Sequence, residues 1–222
     1  MAPAICDLVS TIFYRPHAVL LGTSTKREGN QAFDALPVPL DQPVVWLDTS
    51  GSPQVAEQRA DWNPHTFWNP AEIDAALAVL DRIAREERLV SNLAAGPEET
   101  PIGVICMYAG QKAALDEAFS ERPWDSRFRR LVRIDTVDSY QGKENAIVIM
   151  SLVRSNEVGV RGHVNSFNRC NVALSRAKER LFILGDRTMW KASPEDEPMR
   201  QVLDYIEAKP AGTALLQPRH FQ

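Results

Sequence analysis

The sequence has few of the residues and segments from which metal centres, disulfide frameworks and membrane spans are built. Its 222 residues include three cysteines and four histidines. Cys6, Cys106 and Cys170 are widely spaced, with no C-x-x-C pair and no histidine at metal-ligand spacing. No apolar run approaches the roughly 18 residues of a spanning helix, and no leader of the charged-then-apolar type is recognisable. We therefore expect buried free thiols, no metal site, no membrane segment and a reducing, cytoplasmic location.

The chain also lacks the strong positive charge of small proteins that coat nucleic acid. It carries 25 basic and 29 acidic residues, which gives a net charge of −4. Any contact with nucleic acid must therefore come from a local patch. The length, with 44% hydrophobic residues, is sufficient for a buried core in one large or two small domains.

A phosphate-cradling motif is absent as well. The pattern G-x-x-x-x-G-K-[ST] bends backbone N–H groups around phosphates and places a lysine beside a metal-ligating hydroxyl. In the single Gly-Lys pair, Gly142-Lys143, Val137 stands where the first glycine should be and Glu144 where the hydroxyl should be. An acidic pair followed by a glutamine motif is missing too. A nucleotide bound by this chain would need its phosphate cradle from another domain.

Apolar runs of strand character alternate with helix-period patterns along the chain. The predicted strands cover residues 44–48, 102–106, 131–134, 146–152 and 180–184. The predicted helices cover about residues 3–14, 70–93, 109–119, 164–174 and 194–208, and Asn69 and Pro70 start the second of them. This alternation predicts an α/β fold with a parallel sheet of about five strands flanked by helices.

Polar residues follow the predicted strand at 131–134. They are Thr136, Asp138, Ser139, Gln141, Gly142 and Glu144. Because loops that leave the carboxyl ends of parallel strands form the ligand crevice, we expect these side chains there. Arg176 lies toward the end of the helix at 164–174 and can present its guanidinium beyond the sheet edge. Its rigid fork of donors suits phosphate oxygens, which predicts a phosphate-directed arginine.

These residues carry a specific resemblance. Residues 136–144, followed by 147–151 and by Val153-Arg154, resemble motif V of the superfamily 1 helicases, and residues 171–178 resemble motif VI. Both are most similar to the up-frameshift family and its bacterial relatives, which move 5′ to 3′ on single strands. Residues 108–112 resemble motif IV, with Lys112 where that family has an arginine that reaches the γ-phosphate. Residues 3–10 resemble the segment that opens the second motor domain.

The resemblance implies a RecA-like second motor domain over residues 1–208, with motif IV near 103–112, motif V at 134–154 and motif VI at 168–178. A tail at 209–222 follows and either packs on the domain or lies loose. ATP with Mg²⁺ would bind mainly to a first RecA-like domain encoded upstream, so that the chain alone is expected to be inactive.

The resemblance also implies roles for single residues. Arg176 would be the arginine finger, and Lys112 would approach the γ-phosphate with a point charge in place of a bidentate fork. Gly142 would let the backbone approach the nucleotide, Glu144 would accept from the ribose hydroxyl, and Gln111 would also contact the nucleotide. The contacts to the phosphates of single-stranded DNA or RNA would come from Thr136, Asp138 and Ser139.

Several alternatives remain open at this level. Arg176 could form a salt bridge or cap a helix, and Glu144 and Lys112 could be ordinary solvated residues. Trp62, His65 and Trp68, in a predicted loop at 54–68, suit either stacking on bases or packing on the sheet. The whole chain could be a non-catalytic binding module for nucleic acid or protein, or a freestanding enzyme with unrelated chemistry, although no Ser-His-Asp, Cys-His or carboxylate-metal constellation supports the latter.

Overall fold

A parallel sheet organises the computed structural model, which describes residues 1–19, 32–33, 36–140, 142–208 and 211–221. The strands are β1 (Val44–Asp48), β2 (Gln58–Ala60), β3 (Asn63–Trp68), β4 (Ile102–Cys106), β5 (Val132–Thr136), β6 (Asn145–Ser151), β7 (Ala177–Gly185) and β8 (Thr213–Leu216). Six of them pair in the order β5-β4-β6-β7-β1-β8, and every pair is parallel. The α/β prediction is confirmed, with six strands in the sheet rather than about five.

Helices cover both faces of this sheet. They are α1 (Pro3–Val9), α2 (Pro70–Ala84), α3 (Glu87–Ala95), α4 (Ala109–Glu121), α5 (Ser126–Leu131), α6 (Phe167–Leu174), α7 (Arg187–Lys191) and α8 (Pro198–Ala208). Because successive strand residues point to opposite faces, Trp46 joins the core formed with α1, α6, α7 and α8, whereas Val45 and Leu47 join the core formed with α2 to α5. The result is a three-layer α/β/α arrangement.

The helix predicted over residues 70–93 is two helices. Asn69 caps α2 by accepting from the Glu72 N–H, as the sequence indicated. The helical path breaks at Arg85 and Glu86, and α3 then begins at Glu87. Ile83 and Leu89 are both buried in the same core, yet a spacing of six falls off the apolar stripe of one continuous helix. The break rotates the second stripe back toward the sheet.

Two segments without a predicted strand contain strands. The predicted loop at 54–68 includes the antiparallel hairpin of β2 and β3, and this part of the prediction is wrong. The tail packs on the domain, because β8 pairs with β1 and the buried Phe221 ring meets Phe182 edge-on. The strands β2 and β8 are short, with 3 and 4 residues, and β8 pairs with a strand from the other end of the chain.

The connection from β5 to β6 is unusually short. Residues 137–144 must pass from the end of β5 across β4 to the start of β6, whereas a crossover with its own helix needs at least about 10–12 residues. The chain makes a single 3₁₀ turn, Val137–Tyr140, and crosses β4 at Gly103. A Cβ at Gly103 would lie 2.7 Å from the Tyr140 hydroxyl and 2.6 Å from the Asn145 side-chain oxygen, so that any larger residue there would have to displace these buried side chains.

Three cysteines are free and buried, as predicted. Among the described residues, none of the helices combines the length and the apolar character that a membrane span requires.

Candidate functional site

The structure divides the predicted site residues between the two edges of the sheet. Thr136 ends β5 at the carboxyl edge, and Gln111 and Lys112 lie in the first turn of α4, directly after β4. Glu144 and Arg176 instead precede β6 and β7, whose first residues pair at the amino edge. A strand of 7 residues such as β6 separates the two edges by about 20 Å.

The expectation that all these side chains face a crevice at the carboxyl edge is therefore wrong for Gly142, Glu144 and Arg176. The physical reason is the short crossover, which returns the chain to the amino edge within residues 137–144. The next strand then begins at Asn145, whose N–H donates to the Arg176 carbonyl at 3.0 Å. This hydrogen bond joins the turn before β6 to the turn before β7.

Arg176 is half-buried and its guanidinium is held by neutral oxygens. It donates to the Val172 carbonyl at 3.0 Å, to the Lys143 carbonyl at 3.2 Å and to the Ser175 hydroxyl at 2.9 Å. Within the described ranges no carboxylate forms an ion pair with it. These contacts orient the fork of donors and leave its positive charge uncompensated.

Gly142 and Glu144 stand beside this guanidinium on the turn that leads into β6, while Gln141 lies outside the described residues. Gly142 has φ of +81°, which favours glycine, and a Cβ there would meet nothing within 4 Å, so the backbone is open to approach. Glu144 is exposed and lies 3.5 Å from Lys178, which pairs more closely with Glu98 at 2.7 Å. That hydrogen bond to Glu98 raises the pKa of Lys178.

The three predicted nucleic-acid contacts share one short stretch. The Thr136 hydroxyl donates to the Ser139 hydroxyl at 3.2 Å. Asp138 is exposed and accepts from two nitrogens of Arg169 on α6, at 3.0 and 3.3 Å. The structure therefore places two hydroxyls and a paired carboxylate on the surface between the carboxyl edge and α6.

Gln111 and Lys112 have internal partners. The Gln111 side chain is fully buried; it accepts from the Asn69 N–H at 2.7 Å and donates to the Ser151 hydroxyl at 3.0 Å. Lys112 forms an ion pair with Asp116 at 2.5 Å, and this hydrogen bond raises the pKa of the lysine. Neither side chain is near Arg176, and their predicted contacts with a nucleotide stay predictions.

A buried polar cluster lies at the carboxyl edge of the sheet and was not predicted from the sequence. It consists of Asn69, Glu72, Ser151 and Val153. One oxygen of the Glu72 carboxyl accepts from the Ser151 hydroxyl at 2.6 Å and from the Val153 N–H at 2.8 Å, and Asn69 donates to the Val153 carbonyl at 3.0 Å. Val153 has φ of +73°, a costly conformation for a β-branched residue. The first turn of α2 thus holds both backbone groups of a strained residue.

Burial dominates the chemistry of this cluster. Glu72 is completely buried, which raises its pKa to about 8, and the hydrogen bonds from Ser151 and Val153 offset only part of that shift. Its other carboxyl oxygen has no partner among the described residues. Glu72 occupies the third helical position after the Asn69 cap, where a glutamate usually reaches back to the cap. That pattern predicts a local contact, so the contact with β6 was not visible in the sequence.

Arg154 follows the strained residue and is fixed in place. Its guanidinium forms a bidentate ion pair with Glu57 at 2.7 and 2.9 Å, donates to the Tyr108 hydroxyl at 3.1 Å, and lies 4.4 Å from the centre of the Phe67 ring. The Arg154 side chain is only 6% exposed. Arg154 was part of the motif V resemblance, but Glu57 gave no signal, because it lies in a predicted loop 97 residues away.

Comparisons with known proteins found one matching family model and several similar helicases. A family model described as an AAA domain matches residues 1–188. The DNA replication ATP-dependent helicase/nuclease DNA2 of Mus musculus is 31% identical over 174 residues, 74% of this chain and 16% of its own length. The regulator of nonsense transcripts 1 homolog of Drosophila melanogaster is 34% identical over 148 residues, 66% of this chain and 11% of its own length.

A third relative also matches most of this chain with a small part of its own length. The 5′-3′ DNA helicase ZGRF1 of Mus musculus is 28% identical over 183 residues, 82% of this chain and 8% of its own length. The chain therefore spans between 8% and 16% of the length of these three proteins.

Proposed function

Because the chain belongs to the AAA domain family, the helicase C-terminal region of the up-frameshift-like branch of superfamily 1, we propose that it is the second motor domain of an ATP-dependent helicase. The parent enzyme moves 5′ to 3′ along single-stranded DNA or RNA. This chain supplies positive charge and part of the track, and a first RecA-like domain supplies the phosphate cradle and most of the Mg²⁺ site. The chain by itself is inactive as an ATPase.

One observation carries this proposal. The Arg176 guanidinium is oriented by three neutral oxygens and has no carboxylate partner within the described residues. An arginine that stabilises a transferring phosphoryl group must reach it with its charge intact, and such arginines are worth on the order of 10³ to 10⁵ in rate. The Arg154 guanidinium, by contrast, is neutralised by the Glu57 carboxylate.

The neighbouring turn supports the same role. Gly142 leaves backbone open to a ligand, and the exposed carboxylate of Glu144 can accept from a ribose hydroxyl. Lys112 lies at the opposite edge of the sheet with its ammonium already paired to Asp116, so the proposal rests on Arg176. Along the other surface, the hydroxyls of Thr136 and Ser139 donate to phosphates of any sequence, which suits a translocating protein.

The test uses the parent chain, or this chain mixed with its first RecA-like domain. Arg176→Ala should lower ATP turnover stimulated by single strands by about 10³-fold, with little change in the affinity for nucleotide. The matched control is Arg127→Ala, since Arg127 is an exposed arginine of α5. Urea titration of both variants excludes unfolding as the cause. Turnover within about threefold of the wild type in Arg176→Ala would remove the arginine from the mechanism.

A further inference from the structure

An apolar groove lies between the hairpin and the helices beside it. It encloses about 500 Å³. Its apolar lining is formed by Trp62 and Trp68 of the hairpin together with Ile73 of α2 and Ala114 of α4, and Trp62 stands exposed above the other three. We call this feature the hairpin groove. It is separate from the turn that carries Gly142, Glu144 and Arg176.

Trp62 is the most unusual residue of this groove. It follows β2 at the tip of the hairpin and is 63% exposed, whereas Trp46 and Trp190 are completely buried. Trp68 is half-buried beside it. An exposed tryptophan over an apolar floor offers a large contact area at low entropic cost, and such residues carry much of the energy of protein interfaces.

The rim of the hairpin groove is acidic. Asp61, Asp74, Glu117 and Glu121 line it, and all four are exposed. In the part of the chain that the structure describes, none of these carboxylates has an ion-pair partner.

The basic side chains near the groove that the structure describes do not neutralise the rim carboxylates. Lys112 and Arg122 of the same region pair with Asp116 and Asp81. Arg59 of the hairpin lies over the Phe67 ring and is not part of the groove lining. Four carboxylates that have no ion-pair partner among the described residues, placed around an apolar floor, attract cationic groups and repel phosphates.

We propose that the hairpin groove binds a protein segment in which lysine or arginine residues flank a large apolar side chain. The apolar side chain fills the space beside Trp62, and the flanking cations meet the rim carboxylates. This docking function goes beyond the motor function and does not depend on it. Single-stranded nucleic acid is disfavoured at this site, because its phosphates would face Asp61, Asp74, Glu117 and Glu121.

A selection experiment tests the proposal without knowledge of the partner. A library of short random peptides displayed on phage is selected on the immobilised chain, after depletion on the Trp62→Ala variant. We expect the recovered peptides to be enriched in lysine and arginine around an aromatic or large aliphatic residue. A recovered peptide, made synthetically with a fluorescent label, should lose about tenfold in affinity with Trp62→Ala and with the double variant Asp74→Lys, Glu117→Lys.

Matched controls separate the groove from general electrostatics. Glu195→Lys changes an exposed carboxylate outside the groove and should alter peptide affinity by less than about twofold. Recovery of no peptide that depends on Trp62, or of peptides without basic residues, would overturn the proposal. A labelled oligo(dT) strand is the second probe; if Trp62→Ala weakens its binding about tenfold, the hairpin belongs to the nucleic-acid track instead.

Discussion

Replacing Glu72 with glutamine should change how the stability of this domain depends on pH. In the folded protein the carboxyl is completely buried and its pKa is raised to about 8, against an ordinary value of 4.5. Between these two values the unfolded chain has released the proton while the folded chain retains it. The folded state therefore binds more protons, and the free energy of unfolding falls as the pH rises through this window.

The magnitude follows from the proton that is retained. A full proton difference corresponds to about 1.4 kcal/mol per pH unit, so that Glu72 alone should remove about 2–3 kcal/mol between about pH 5.5 and about pH 7.5. In Glu72→Gln the amide oxygen can accept from Ser151 and Val153, and the amide nitrogen replaces the carboxyl oxygen that has no partner. The variant therefore keeps the hydrogen bonds to Ser151 and Val153 and no longer has a titrating group at this position.

The assay is urea unfolding of both proteins across this pH range. At about pH 5.5 the two should differ by less than about 1 kcal/mol, and the variant should gain about 2–3 kcal/mol relative to the wild type by about pH 7.5. Taking the difference cancels other titrating groups, including His163, whose pKa is lowered by burial. Glu157→Gln, at an exposed position, is the control and should leave the pH profile unchanged. Parallel profiles for Glu72→Gln and wild type would refute a buried, proton-retaining carboxyl.

Three further predictions concern packing. Gly103→Ala should lower the free energy of unfolding by about 1–3 kcal/mol in urea titration, because a Cβ would lie 2.6 Å from the Asn145 side chain, whereas Gly51→Ala, with nothing within 4 Å, should change it by less than about 0.5 kcal/mol. Glu57→Ala should cost about 3–5 kcal/mol, since Arg154 would stay buried without its carboxylate; a loss typical of a surface glutamate would contradict this. The three cysteines, all buried and free, should react with a thiol reagent only after unfolding, and labelling of the native protein would argue against their burial.

The elements with the strongest apolar pattern were predicted almost to the residue. The strand expected at 102–106 is β4, and the one expected at 146–152 is β6, Asn145–Ser151. The hairpin, the break before α3 and the strand β8 were not predicted. In each of these the local pattern is short or favours another structure, and contacts with distant segments decide the outcome.

That the predicted site residues form a functional site stays a prediction, whereas the structure corrects the edge of the sheet at which Gly142, Glu144 and Arg176 lie. Glu144 and Arg176 do lie together, joined through the hydrogen bond between Asn145 and the Arg176 carbonyl. The edge of the sheet was wrong, because the rule for carboxyl edges assumes an ordinary crossover after each strand. The segment between the strands β5 and β6 has only the residues 137–144. This length was visible in the sequence, and it indicates a crossover without a helix of its own.

By itself, the sequence determined the class of fold, the family and the residue types available for chemistry, because apolar periodicity and contiguous motifs are local properties of the chain. Only the tertiary structure decided which charges are free. It neutralises Arg154 with a glutamate 97 positions away, leaves Arg176 with carbonyl and hydroxyl partners, and buries Glu72, which raises the pKa of its carboxyl. The charge state and the contacts of an ionisable side chain depend on its burial and on partners from distant parts of the chain, and the neighbouring residues in the sequence predict neither.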